Sequence, residues 1–334
     1  MRLGVKLNAS PPSRDQLLRV AQLAEDVGYD SLWSSESYGM DAVSVLAMAG
    51  AVTRRVRLGT NIMQTAGRSP ALTAMTALTL DLLSEGRFTL GMGVSGPQVV
   101  EGWHGQAFHH PLARTREYVA IVRQVIARES RTEFHGDYYD VPYSGADATG
   151  LGKPLKAMLA GRPNIPLLLA GMGPRNVELA ASIADGLILA FIDPEQIVRL
   201  YGDALAAAPG GFEIVYTPDV VIGEDLESCR NAVRPRLALY IGGMGARGSN
   251  FYTSLFARLG FAEESRRIQE AFLDGRVAEA ESHVSNEMVD RVALVGPVSR
   301  VKEQLSRWAR TPLTTLVVNS TDPRVLETMA ELVA

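Results

Sequence analysis

Eight short apolar, β-rich runs, each followed by a stretch of helical periodicity, constrain the fold of this 334-residue chain more than any single motif. The runs are 2–8, 31–35, 56–63, 88–94, 165–170, 186–192, 213–222 and 314–319. Helices are expected over 13–28, 41–53, 69–84, 114–128, 174–184, 194–208, 226–241, 299–310 and 324–333. Within 13–28, Leu17, Val20, Ala21, Ala24 and Val27 recur at three- and four-residue spacing and make one buried stripe. Ser69–Pro70, Gly173–Pro174 and Asp193–Pro194 each place proline at a first helical turn. Continuous apolar strands alternating with helices require a parallel sheet covered on its outer face. An open doubly wound sheet suits about five or six strands, so eight favour an α/β fold closed as a (β/α)8 TIM barrel.

Two segments break the rhythm of this single domain, 1–334. Residues 129–164, rich in Gly, Pro, Tyr and Asp, follow strand 4 and its helix and read as a loop with a short hairpin. Residues 243–298 precede strand 8 and carry GGMGARGSNFY and two short helical patterns. Insertions of this length shape or cover a site.

Gly91, Gly93 and Gly96 spell G-x-G-x-x-G, a dinucleotide-binding fingerprint when it opens a helix behind a first strand. Here it ends the fourth strand, with no helix expected directly behind it. It therefore reads as the carboxyl end of a barrel strand. A net charge of -4 argues against nucleic-acid binding. The one cysteine, Cys229, excludes an intrachain disulfide and fits a reducing, cytoplasmic location. The first strand begins at Arg2, which leaves no room for a signal peptide, and no apolar run reaches membrane-spanning length.

The segment RLGTNIMQTAGRSPALTAMTALTLDLLSEGRFTLGMGVSG (57–96) closely resembles the bacterial luciferase-like superfamily, within it the branch using the deazaflavin coenzyme F420. PLARTREYV (111–119), LLLAGMGPRNVELAASIADGLI (167–188) and DRVALVGPVSRVKEQLSRW (290–308) extend the likeness over essentially the whole chain. The resemblance implies a homodimeric (β/α)8 barrel that holds its cofactor at the carboxyl ends of the strands. It implies a cis peptide at Asn61–Ile62 whose bulge presses on one face of the ring, with Gln64, Val94, Ser95 and Gly96 nearby. Relatives lay the coenzyme's phosphate-bearing tail along the loop matching Gly171, Met172, Gly173, Pro174 and Arg175. Free N–H groups and the helix dipole suit an anion there. Arg68, Arg175 and Arg247 are the cations considered for that tail.

Two departures matter. Ser37 stands where many relatives carry a catalytic histidine, and Gly96 stands where some alcohol-oxidising relatives carry a glutamate. Glu36, at a strand's carboxyl end, and His104, in the loop after strand 4, are the remaining acid–base candidates. Each also has an ordinary structural reading, Glu36 as an arginine-paired carboxylate and His104 as a hydrogen-bonded loop residue. Trp103, Tyr143, Phe251 and Tyr252, from 101–110, 140–152 and 243–252, suggest a bulky, partly apolar small-molecule substrate. Asp and His do not recur at metal-ligand spacing, so no metal is expected. The expected function is F420-dependent hydride transfer to or from a small organic substrate. An FMN-dependent monooxygenase fed by a partner reductase, and a cofactor-binding protein without turnover, stay open. A non-redox aldolase is disfavoured because Lys6 sits within strand 1 rather than at its end.

Overall fold

The computed structural model describes residues 1–9 and 13–333. Eight parallel strands form a closed ring: β1 (Arg2–Lys6), β2 (Ser31–Ser34), β3 (Arg57–Thr60), β4 (Phe88–Gly93), β5 (Leu167–Ala170), β6 (Gly186–Leu189), β7 (Glu213–Tyr216) and β8 (Thr315–Val318). Closure runs through Arg2 opposite Thr315 on one side and Leu58 opposite Phe88 on the other. Helices cover the outside, and their starts follow local chemistry. Ser13 Oγ accepts from the Gln16 N–H, Asp41 from Ser44 and Ser69 from Leu72, each replacing a bond the first turn lacks.

The pleat sorts side chains between two cores. Leu3, Val5, Leu316 and Val318 face the helices, whereas Trp33, Leu168, Ile188, Val215 and Val317 fill the barrel interior. Trp33 dominates that interior, with its indole N–H donating to Ser31 Oγ at 2.9 Å. The ring needs glycine beside it: a Cβ on Gly59 would lie 2.4 Å from Trp33 Cε3, and one on Gly4 2.7 Å from Trp33 Nε1.

The amino-terminal end of the barrel is sealed by charge. Arg57 bonds Glu213 at 3.0 Å and Asp30 at 2.8 Å, while Thr315 Oγ1 donates to Glu213 at 2.6 Å. Burial pushes the Glu213 carboxyl up, but the Arg57 contacts outweigh it and hold the group below the usual carboxylate range.

Several boundaries differ from the sequence reading. The run 213–222 splits into β7 and a separate strand Val220–Ile222, which pairs in parallel with Leu294–Gly296 outside the barrel. Both pieces are apolar and only Thr217–Asp219 divides them, so periodicity alone fuses them. The segment 243–298 holds four helices, Phe251–Arg258, Ala262–Leu273, Val277–Ser282 and Asn286–Val292, where two were expected. A helix, Pro97–Gly102, does open directly behind Gly96, because Pro97 sits at its first turn and Val99 and Val100 are buried. The segment 129–164 carries the expected hairpin, Phe134–His135 against Asp140–Val141.

Gly59→Ala is expected to cost about 2–3 kcal/mol, because the added methyl overlaps a ring that the surrounding barrel holds in place. Urea unfolding followed by tryptophan fluorescence checks this, and an unchanged midpoint contradicts the packing argument.

Candidate active site

Above the Trp33 layer, the next inward position of every strand opens into one cavity of about 1220 Å³ at the carboxyl ends. Three of these positions, Gly93, Ala170 and Ala190, are small. The other five are polar: Lys6, Ser35, Asn61, Thr217 and Asn319. The floor is therefore open on the β4–β6 side and rich in hydrogen-bonding groups on the opposite side. Asn61 Nδ2 donates to Thr217 Oγ1 at 2.7 Å across the barrel. Phe108, Phe191, Tyr240, Phe251 and Tyr252 add aromatic surface to its walls.

Most residues expected at a cofactor site line this cavity: Asn61, Ile62, Val94, Ser95, Gly96 and the run Gly171–Met172–Gly173–Pro174–Arg175. The Asn61–Ile62 peptide is cis, as the resemblance implies. Gln64 and His104 do not line it. Gln64 is buried, donates to the Ser37 carbonyl at 2.7 Å, and is held at 2.9 Å from His104 Nε2. His104 thus braces the β3 loop. Trp103 stands at the mouth, largely exposed, with Tyr38 against it at 6.5 Å between ring centroids. Tyr143 lies apart on the 129–164 segment, hydrogen-bonded to Asp147, so 140–152 adds no wall.

Glu36 reaches the cavity edge, but its carboxylate is already engaged. Arg68 bonds it at 2.8 Å and the Gln64 N–H donates to it at 3.0 Å. The structural reading of Glu36 is the one the contacts match. Two of the three cations considered for a phosphate are also occupied, Arg68 by Glu36 and Asp41, and Arg247 by Asp274. Arg175 lies on the cavity rim.

Three charged residues that the sequence reading did not place at a site also line the cavity. Lys6 is the last residue of β1, not an interior one: the ladder ends opposite Trp33, and Asn8 then turns sideways to bond the Ser35 backbone. Burial first and Arg236 second lower the Lys6 ammonium to about 8. Arg236 comes from helix Leu226–Ala238, bonds Asp219 at 2.5 Å, and lies 4.9 Å over the Phe191 ring. Arg258, from the inserted helix Phe251–Arg258, donates to the Met172 carbonyl at 2.8 Å, leaving its buried Nε–H without a partner. Inward alternation from Gly4 predicts Lys6; no sequence signal brings the two arginines to the cavity.

The pattern of luciferase-like monooxygenases matches residues 1–315. The chain belongs to the luciferase-like monooxygenase family. It is 43% identical over its full length to a putative coenzyme F420-dependent oxidoreductase of Mycobacterium tuberculosis, covering 99% of that protein. The fold of this family member is shared with the coenzyme F420-dependent tetrahydromethanopterin reductase of Methanopyrus kandleri, at TM-score 0.77 and 19% identity over 99% of this chain and 97% of that one. It is shared as well with an F420-dependent secondary alcohol dehydrogenase solved with an F420-acetone adduct, at TM-score 0.76 and 18% identity over 99% and 97%.

Glu36→Gln is expected to lose about 2 kcal/mol of stability, since it removes one of the two carboxylates, Glu36 and Asp41, that bond the largely buried Arg68. A double-mutant cycle with Arg68→Met, read by urea unfolding, measures the coupling; additive effects contradict the pairing.

Proposed function

We infer that this family member is a coenzyme F420-dependent oxidoreductase that moves a hydride between the deazaflavin and a small organic molecule. The carrying observation is the full-length likeness to an F420-dependent oxidoreductase, joined to a cavity placed where barrel enzymes hold their chemistry. The residues fit the coenzyme. Its anionic tail needs local positive charge in a protein of net charge -4. Helix Pro174–Ile183 starts at Gly173 with no side-chain cap; Pro174 has no N–H and Asn176 and Val177 donate to the Gly173 carbonyl, so the Arg175 N–H is the donor the first turn leaves at the cavity rim. The unpartnered Arg258 Nε–H and the nearby Arg175 add donors and charge.

Bound there, the coenzyme supplies a two-electron carrier that gives or accepts hydride at a ring carbon. The chain's own work is binding and exclusion. Asn61, Ile62, Val94, Ser95 and Gly96 wall the ring, with Gln64 holding the β3 loop in place behind them. Gly93, Ala170 and Ala190 leave it room, and the aromatic walls displace water around the substrate. Glu36 and His104 position the β2 and β3 loops and are not the proton carriers.

Absorbance titration with purified F420 and FMN tests the reading. F420 is expected to bind at least about tenfold more tightly, and Arg258→Met to weaken it about tenfold, near 1.4 kcal/mol. Tighter FMN binding with oxygen consumption turns the assignment to the monooxygenase chemistry. F420 binding without redox change over a broad substrate panel turns it to a binding protein.

The assembly that accompanies this reading is a homodimer in the cytoplasm. Leu72, Met75, Leu82 and Leu83 of helix Pro70–Leu83 are exposed, as is Met48 of the adjoining helix Ala42–Val52, and such an apolar surface suits a second copy. Cys229 is free and buried, and among the described residues no helix is long and apolar enough to cross a membrane. Met75→Glu is expected to shift light-scattering mass to that of a monomer; unchanged mass places the contact elsewhere or nowhere.

A further inference from the structure

We propose that Lys6 is the catalytic acid of this enzyme, delivering a proton to the oxygen of a carbonyl substrate seated on the polar half of the cavity floor. The inference rests on the hydride-transfer reading above and deepens it.

The argument begins from position. Gly4 faces Trp33 inside the barrel, so Lys6, two residues on, must face inward one level higher. That level is the floor of the cavity, where Asn61, Thr217 and Asn319 join it. The Lys6 side chain makes no hydrogen bond or ion pair among the described residues, whereas Asp219, the carboxylate nearest this corner, is taken by Arg236 and Asn319, each at 2.5 Å. Asn319 therefore turns its Nδ2 toward Asp219 and leaves its buried Oδ1 unpartnered. A half-buried ammonium with three free donors and a buried acceptor without a donor, on neighbouring strands of one floor, offer bonding capacity that a ligand in the cavity can satisfy.

The charges say what kind of ligand. Lys6 and Arg236 carry two positive charges at this corner against one negative charge on Asp219. Glu36, at the cavity edge, is neutralised by Arg68. An excess of positive charge repels a cationic substrate such as an iminium and favours an oxygen that gains negative charge. The apolar body of such a molecule suits the aromatic walls. Hydride from the reduced deazaflavin adds to the carbon end of the substrate's π system and breaks that π bond. The electron pair ends on the carbonyl oxygen. One proton from the Lys6 ammonium closes the O–H bond, and the neutral amine regains its proton from water. The reverse sequence oxidises the alcohol. Burial and Arg236 place Lys6 at about 8, low enough to give up a proton readily and high enough to hold one at neutral pH. This supplies the acid that Ser37 and Gly96 remove.

The same burial gives a stability signature. The folded-state value lies below the unfolded value of 10.5, so the charged form is penalised in the folded protein. The penalty is fully present below about pH 8 and fades as pH rises toward 10.5. Lys6→Met is therefore expected to melt a few degrees higher than wild type at pH 7.

The deciding experiment uses the full chain, with and without F420. Side-chain 13C-labelled lysine gives four signals, from Lys6, Lys153, Lys156 and Lys302, and Lys6→Met identifies one of them. That signal is expected to titrate near pH 8. Calorimetry with p-nitrophenolate, a stand-in for the developing oxyanion, is expected to lose at least about tenfold in affinity in Lys6→Met and only about threefold in Lys6→Arg. Single-turnover reduction of 2-cyclohexenone by the F420-loaded enzyme is expected to fall above pH 8 in wild type and to lose that limb in both variants. An ordinary lysine midpoint, unchanged p-nitrophenolate affinity in Lys6→Met, or a covalent adduct trapped on Lys6 by borohydride overturns the proposal. Failure of wild type to bind F420 overturns the hydride-transfer reading instead; the lysine titration and p-nitrophenolate affinity, measured without coenzyme, still judge the floor.

Discussion

The inside of an eight-stranded barrel is narrow, and one large side chain sets the terms for the rest. Each strand turns every second residue inward, so the interior is stacked in levels shared by all eight strands. Trp33 takes most of the middle level, which forces glycine at positions 4 and 59 and leaves Val215, Leu168, Ile188 and Val317 to fill what remains. Below it the barrel is closed by the Arg57–Glu213–Asp30 ion cluster. Above it, Gly93, Ala170 and Ala190 are too small to continue the plug. The cavity exists because the packing stops there.

The two ends handle buried charge in opposite ways. At the lower end each charged group finds several partners, and Glu213 is held ionised by arginine contacts that outweigh its burial. That end is rigid and chemically quiet. At the upper end Lys6, the Asn319 amide oxygen and Arg258 Nε keep unmet bonding capacity on the surface of the cavity. Ser34 Oγ, Gln124 Oε1, Ser265 Oγ and Gln304 Oε1 are also unpartnered, but none of these residues lines the cavity; the unmet groups that do are gathered where a ligand can reach them. The Glu36–Arg68–Asp41 and Gln64–His104 contacts stand between these extremes, holding the β2 and β3 loops at the rim while spending their own chemistry on structure.

Much of this was legible in the chain itself. The strand runs and proline-led helix starts locate all eight barrel strands, because a buried parallel strand needs an unbroken apolar run and a helix start needs a cap. The loop Gly171–Arg175 and the Asn61–Ile62 peptide could be placed from their local patterns and their likeness to relatives. Misreadings fell where distant segments meet. The strand Val220–Ile222 is defined only by its partner Leu294–Gly296, seventy-odd residues away, and looks like a continuation of β7 until that partner is in place. For Glu36 and His104 the sequence left an acid–base and a structural role open, and the contacts with Arg68 and Gln64 are what support the structural one.

Local sequence determined the elements, their order and the face each strand buries, because alternation and capping act over a few residues. It also showed Ser37 and Gly96 at the two positions where the resemblance leads one to expect a histidine and a glutamate. Only the tertiary structure decided which charges remain free. Arg236 and Arg258 reach the cavity from helices far along the chain, Asp219 is consumed by Arg236 and Asn319, and Lys6 is left facing the opening. The reason is physical: a charge's chemistry depends on what neutralises it, and the neutralising groups arrive only when the barrel closes.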